Sequence, residues 1–245
     1  MVFEYVIRSW GMYRENTTSF ILAELLSLII TGIIVFIGIW IIFGSIGISN
    51  LMNLSNPELV ITKIVSIFSF LTKLGVVSIF FIIAGIVWVF LKTGLYGMAS
   101  ESLRGLTKVE TMFSVSKKSG FKGVISSIIL GVITFILFMI LIIGLNITLP
   151  IIGAIIGMIL FFFIVITFSL VFPGIVVDDL SPIQAIKESF NITKKNYLEI
   201  LGLLLLYVVI SLVAIMSLIG IPIYFFIISP MMKISLVFFY KRKKI

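Results

Sequence analysis

Neither cysteine nor histidine occurs anywhere in the 245 residues. Without cysteine there is no disulfide, no thiolate nucleophile and no sulfur ligand for zinc or an iron–sulfur cluster. Without histidine the commonest general base and the commonest nitrogen ligand are also missing, so any catalysis would have to run on carboxylates alone. Charge is scarce too: 11% of residues are Asp, Glu, Lys or Arg, against about 25% in a typical soluble domain. There is no phosphate-binding glycine loop, no dinucleotide fingerprint and no opposed pair of carboxylates, Asp178 and Asp179 being adjacent. The expectation is a protein that is not an enzyme and has no cofactor and no metal.

What the chain does have is apolar length. Hydrophobic residues make up 61% of it and the mean hydropathy is +1.33, a membrane-protein composition. A helix needs about 20 apolar residues to cross the hydrocarbon core. The tract from Val124 to Val177 holds 54 residues without a charge, which as one helix would be about 81 Å long. It must fold back, and Gly144 to Pro150 supplies the turn residues. Gly44 to Asn56 ends the first span in the same way, and Gly220 with Pro222 divides the last tract. The predicted spans are about 20–43, 74–98, 124–145, 150–177, 198–219 and 221–240. The fold class expected is all-α: one integral membrane domain over 1–245, a bundle of six spans in three helical hairpins with short cytoplasmic amphipathic helices. The first apolar run begins near Phe20, behind Glu4, Arg8, Arg14 and Glu15, so it reads as a retained span rather than a cleaved signal.

Lys and Arg outnumber Asp and Glu by 18 to 10. In a soluble protein that excess would suggest nucleic acid; here the membrane explains it, because cytoplasmic loops collect basic residues beside an anionic leaflet. Arg8 and Arg14, the group from Arg104 to Lys122, the group from Lys187 to Lys195, and Lys241 to Lys244 all fall on one side of the predicted topology. Only Lys63 and Lys73 fall on the other. The rule of positive loops inside puts both termini in the cytoplasm and the protein in the cell membrane. The partners expected are membrane lipids, including anionic headgroups at the inner leaflet, with a homo-oligomer or a membrane partner protein also open, and no nucleic acid.

Local patterns add detail. Ser181, Pro182 and Gln184 form a capping box with proline at the first helical position, and Ala185 and Ser189 continue the helix. Ile183, Ile186 and Phe190 lie opposite Lys187, Glu188 and Lys194, the pattern of an amphipathic helix on the cytoplasmic face. It is either a connector that orients span five or a docking site for a lipid or partner. Placing Ser9 over Ser189 also puts Val6 over Ile186, Trp10 over Phe190, Arg14 over Lys194 and Asn16 over Asn196. Met112 and Phe113 before Lys117 and Lys118 repeat the theme more loosely, which suggests three units, each a basic amphipathic segment followed by a hairpin.

Asn56, Pro57 and Glu58 predict an outer interfacial helix running to Leu71. Gly153 with Gly157, and Gly131 with Gly144, are candidates for close helix approach, and Pro173, Gly174 and Pro230 for kinks. Asn16, Asn146 and Asn191 begin glycosylation patterns that are read as coincidental, only Asn146 falling outside and in a loop too short to project.

The most informative residues are charged at membrane depth. Glu24 lies about 7 Å inside span one, Lys92 about 9 Å before the end of span two, and Lys233 about 10 Å before the end of span six. If these spans adjoin, Glu24 pairs with one or both lysines and leaves a net positive pocket, a candidate lipid-headgroup or anion site. The competing reading is that the lysines snorkel to the interface and Glu24 is wetted from the helix end.

The run VVDDLSPIQAIKESFNITKKNYLEILGLLLLYVVI, with GLYGMASESLRG at the end of span two, resembles a group of prokaryotic, especially archaeal, six-helix membrane proteins of undetermined role. It resembles more distantly the membrane domain fused to some bacterial glycerophosphodiester phosphodiesterases. The positions matched by Pro182, Ala185 and Ser189 recur there ahead of the fifth span. The resemblance covers most of the chain from about Gly94 and implies a shared fold, not an activity. The expected function is a non-catalytic accessory or lipid-interacting membrane protein, the alternative being a small transporter or channel for an apolar or lipid-like substrate.

Overall fold

The computed structural model describes residues 2–45, 60–146, 150–217 and 220–244, and every element among them is helical. In order these are α1 (Val2–Glu15), α2 (Thr17–Ser45), α3 (Val60–Ser102), α4 (Val109–Asn146), α5 (Pro150–Thr167), α6 (Val171–Asp178), α7 (Pro182–Lys195) and α8 (Tyr197–Ile215). The last span consists of α9 (Gly220–Ile223), a π-helical turn (Tyr224–Ile228) and α10 (Ser229–Lys244). Among the described residues six stretches are long and apolar enough to cross a membrane: Thr17–Trp40, Leu74–Ser102, Val109–Met139, Ile159–Asp178, Tyr197–Ile215 and Gly220–Lys244. The protein is all-α and multi-pass, and these spans place it in a membrane.

Some boundaries differ from expectation. The outer helix predicted up to Leu71 is not separate, because α3 runs unbroken for 43 residues, roughly 64 Å. No proline occurs in α3, and Gly75, the one glycine near the expected break, costs about 1 kcal/mol, too little to end a long helix. Likewise the basic segment before span three is continuous with it in α4. The predicted helix start at Asn56, Pro57 and Glu58, turn residues 46–55, and hairpin residues 147–149 with the pattern at Asn146 lie outside the described residues.

Span four breaks earlier than its proline suggested. α5 stops at Thr167 and α6 restarts at Val171, so Pro173 falls in the first turn of a helix, where a missing N–H costs nothing. The backbone groups freed at the break are met from α7. The Ser189 hydroxyl donates to the Thr167 carbonyl at 2.7 Å and accepts the Leu170 N–H at 3.3 Å, and Thr193 adds a bond to the same carbonyl at 3.3 Å.

The chain forms two compact units, Met1–Leu25 with Val89–Ile245, and Leu26–Trp88. In the smaller unit, Gly38 lets α2 approach α3, since a Cβ there would strike the side chain of Phe80. Ile33, Phe36 and Trp40, and Ile79, Phe81 and Ile82, face outward, as suits lipid-facing helices. Gly131 and Gly157 meet nothing within 4 Å and so are not close-approach points, while the surroundings of Gly144 and Gly153 lie outside the described residues. Small residues on a membrane helix mark packing only where a neighbour arrives.

Within the larger unit the suspected repeat acquires a geometry. α1 and α7 are each 14 residues long, and the register that puts Ser9 over Ser189 makes their ends coincide. Both helices close on an asparagine whose amide reaches back four residues, Asn16 to Met12 O at 2.9 Å and Asn196 to Ile192 O at 3.0 Å. Their buried faces read Tyr5, Ser9, Tyr13 and Ala185, Ser189, Thr193. The start of α4 buries Met112 and Ser116 at the same spacing.

Each of the three serines reaches another element. Ser116 donates to Phe90 O in α3 at 3.0 Å, Ser189 to Thr167 O in α5, and Ser9 lies 2.7 Å from Ser235 Oγ in α10. Gly94 makes the first of these contacts tight, since a Cβ there would run into the Met112 carbonyl and Ser116 Oγ. Two segments therefore dock on the preceding even-numbered span, and the first segment docks on the last span. Tyr5 strengthens that closure through Phe238 and Phe239, at centroid distances of 5.4 and 5.3 Å, contacts of about 0.5–1.5 kcal/mol each beyond burial.

Ser189→Ala removes the partner of two backbone groups and is expected to cost about 1–2 kcal/mol. Ser114→Ala, whose exposed hydroxyl bonds only within its own turn, is expected to change little. Unfolding of the detergent-solubilised protein by a graded denaturant measures both, and equal effects would remove the special role of Ser189.

Candidate functional site

The polar centre of the larger unit is built by the irregular part of span six. Pro230 has no N–H, so the carbonyl of Phe226, four residues back, loses its helical donor. Tyr13 of α1 takes that place, its hydroxyl donating to Phe226 O at 2.7 Å. The wider turn over Tyr224–Ile228 precedes this point, and the Ser229 N–H reaches back five residues to Tyr224 O. Such π-turns are relieved by packing and recur at functional places in helices.

Ser229 and Lys233, one helical turn apart, present one face to Glu24 of α2. Lys233 Nζ lies 2.5 Å from Glu24 Oε1 and 2.6 Å from Ser229 Oγ, and Ser229 Oγ donates to Glu24 Oε1 at 3.2 Å. Glu24 and Lys233 are each 5% exposed. A charge so placed is stable only when paired and hydrogen-bonded, and this triad provides both. Of the three charged positions predicted for span interiors, the structure thus joins Glu24 to Lys233 directly. Lys92 is in electrostatic reach of both, with its Nζ 4.9 Å from the centre of the Phe172 ring.

A second chain of hydroxyls runs beside the triad. Tyr207 of α8 is 2.7 Å from Ser235 Oγ, which lies 2.7 Å from Ser9 Oγ, which donates to Tyr5 O at 2.7 Å. Spans five and six and the first amphipathic helix are tied through it.

The predicted amphipathic helix is α7. Gln184 Oε1 accepts the Ser181 N–H at 3.1 Å and completes the capping box, with Pro182 in the first turn. Ala185 and Ser189 are fully buried against α5 and α6, so these two positions hold the helix to the protein. Ile183 and Phe190 face outward. At the same end, Asp179 caps α6 in the left-handed conformation at φ 54° and binds Lys122 at 2.8 Å and Lys118 at 3.6 Å. The hydrogen bond from Lys122 is the main reason its carboxyl sits below the usual range. Asp178 is taken by Tyr240 at 2.5 Å and Lys244 at 2.6 Å, and Glu199 by Lys243 at 2.6 Å.

Tyr13, Ser229, Ser235 and Tyr207 belong to this network without having been singled out from sequence. Pro230 was the available signal for two of them: it obliges Phe226 O to find an outside donor, and Ser229 beside it stands one turn from Lys233.

Residues 65–239, more than half of the chain, match the family described as a domain of unknown function, DUF7847, and the chain belongs to that family. No curated protein and no solved structure matches it. The likeness to the membrane domain of glycerophosphodiester phosphodiesterases finds no support in these matches.

Glu24→Gln strands a buried lysine, and Lys233→Met strands a buried carboxylate. Each is expected to cost about 3–5 kcal/mol, and the double variant much less than the sum. A double-mutant cycle of unfolding free energies in detergent measures this; additive effects would mean the charges do not depend on each other.

Asp179→Asn keeps a residue that tolerates the left-handed conformation but removes the charge. Because the folded-state value of Asp179 is depressed, its contribution is fully present above the ordinary carboxylate range and is lost as pH falls through the lowered value. The variant is expected to be less stable than the parent near neutrality, with the gap closing in acid. Unfolding midpoints across pH follow it, and a gap constant with pH would assign the loss to something other than the charge.

Proposed function

We propose that this member of the DUF7847 family is a non-catalytic multi-pass protein of the cell membrane that engages anionic lipids at the inner leaflet, with both ends cytoplasmic. The observation that carries this reading is shared by the three docking segments. Each buries a face that includes a serine hydroxyl and turns large apolar side chains outward beside cations. In α1 these are Phe3 and Ile7, each 69% exposed, and Trp10; in the start of α4, Phe113 and Phe121; in α7, Ile183 and Phe190. Arg8 and Arg14, Lys117 and Lys118, and Lys187 and Lys194 accompany them, all exposed. Apolar side chains that sink into the headgroup boundary, flanked by cations at headgroup level, are what an interfacial helix presents. Each cation near an anionic surface contributes about 1 kcal/mol.

A headgroup or anion site at Glu24, Lys92 and Lys233 is the lesser part of the proposal. Its formal charge is net positive, but Glu24 already neutralises Lys233, and both are buried. What favours the second reading, a transporter for an apolar or lipid-like substrate, is the π-turn and Pro230 beside that ion pair, since transport sites often adjoin broken helices. Lipid movement in proteoliposomes that stops in Glu24→Gln while binding persists would support transport.

Extraction into particles that keep native lipid, with the co-purifying lipids and proteins identified, tests the main reading. Anionic lipids are expected to be enriched over the bulk membrane. A lipid profile equal to the bulk would contradict it.

A further inference from the structure

We infer that the groove between α1 and α10 holds the phosphate of one anionic phospholipid, a specific site that rests on the inner-leaflet reading above. The groove has a volume of about 510 Å³, within the size range of small-molecule sites. Met12, Leu103 and Phe238 make its apolar part, and Arg8, Lys241 and Arg242 its cationic part, with Glu4 the one acidic residue among the described residues that line it.

The two guanidiniums are held before any ligand arrives. Arg8 lies 5.5 Å from the Phe238 ring centre and Arg242 5.5 Å from that of Tyr5. Both converge on a single carboxylate, Arg242 Nη1 at 2.9 Å from Glu4 Oε2 and Arg8 Nη2 at 3.2 Å from Glu4 Oε1. One anionic group bridging two arginines is the geometry a phosphodiester needs, so Glu4 marks the position as an internal stand-in. With Glu4 counted, the lining still carries a formal excess of two positive charges. Arg104 adds a further positive charge in electrostatic reach of Lys241, while Asp178 is engaged by Tyr240 and Lys244 and Glu199, in reach of Arg242, is paired with Lys243. The groove therefore asks for an anion.

The neighbouring face of α1 identifies the source of that anion. Phe3, Ile7 and Trp10 project outward at a spacing that makes one stripe along the helix. A helix anchored in the bilayer boundary by that stripe holds Arg8 at headgroup depth. The apolar part of the groove then receives the start of an acyl chain, which a free phosphate does not have.

The test uses the full-length protein in detergent, titrated with phosphatidylglycerol or phosphatidylcholine of the same chain length and observed by native mass spectrometry. The parent is expected to retain phosphatidylglycerol preferentially. Arg8→Gln and Arg242→Gln should each weaken that retention by about fivefold, and Glu4→Gln, which removes the internal competitor, should strengthen it. Lys187→Gln with Lys194→Gln on α7 should leave this bound lipid in place. Unchanged retention in the arginine variants would overturn the groove while leaving the general reading intact if the parent's preference persists. Absence of any preference in the parent would sink both. Displacement of the lipid by millimolar sodium phosphate would make the groove a site for a free anion instead.

Discussion

A polar group below the bilayer surface has no water to turn to, so each must find its partner within the chain. That constraint organises the larger unit. The interrupted even-numbered spans expose backbone groups, the Thr167 carbonyl and Leu170 N–H in span four and the Phe226 carbonyl in span six. The hydroxyls that meet them come from amphipathic segments, Ser189 from α7 and Tyr13 from α1. Ser116 performs a related contact on α3 without a helix break. The segments are thus structural plugs before they are anything else, and α1 docking on α10 closes the series.

The proposed lipid contact rests on the same arrangement. A helix committed to the protein along one face has two others to dispose of at the membrane boundary. In α1 one carries Phe3, Ile7 and Trp10 and the other Glu4 and Arg8. On the proposed reading the apolar face fixes the depth, and the charged face meets whatever lies at that depth. The interior ion pair is separate from this. Glu24 and Lys233 satisfy each other with the help of Ser229, and their burial suits a tie between spans one and six more than a surface for ligands.

Much of the fold was legible because span length is set by bilayer thickness and charge-free tracts are unambiguous. The pairing of Glu24 with Lys233 was legible for a related reason, since opposite charges at similar depth have few other partners. The unbroken α3 was not, because an interfacial helix and the first turns of a long one share the same period. The break at 168–170 was misplaced to Pro173, since proline inside the first turn of a helix leaves no trace of its own, and the serine that stabilises the break comes from α7. Gly131 and Gly157 show the opposite ambiguity: small residues look the same in sequence whether a helix or lipid lies beside them.

The central claim is that all three docking segments and both ends lie at the inner leaflet. The absence of cysteine makes a direct measurement simple, with single cysteines placed at the exposed positions Glu15, Leu106 and Asn191, and at Lys244, and probed with an impermeant maleimide. In intact cells none of the four should react, and in inverted membrane vesicles all four should. Labelling of any one of them from the outside of intact cells would contradict the six-span topology and, with it, the assignment of these segments to the anionic face.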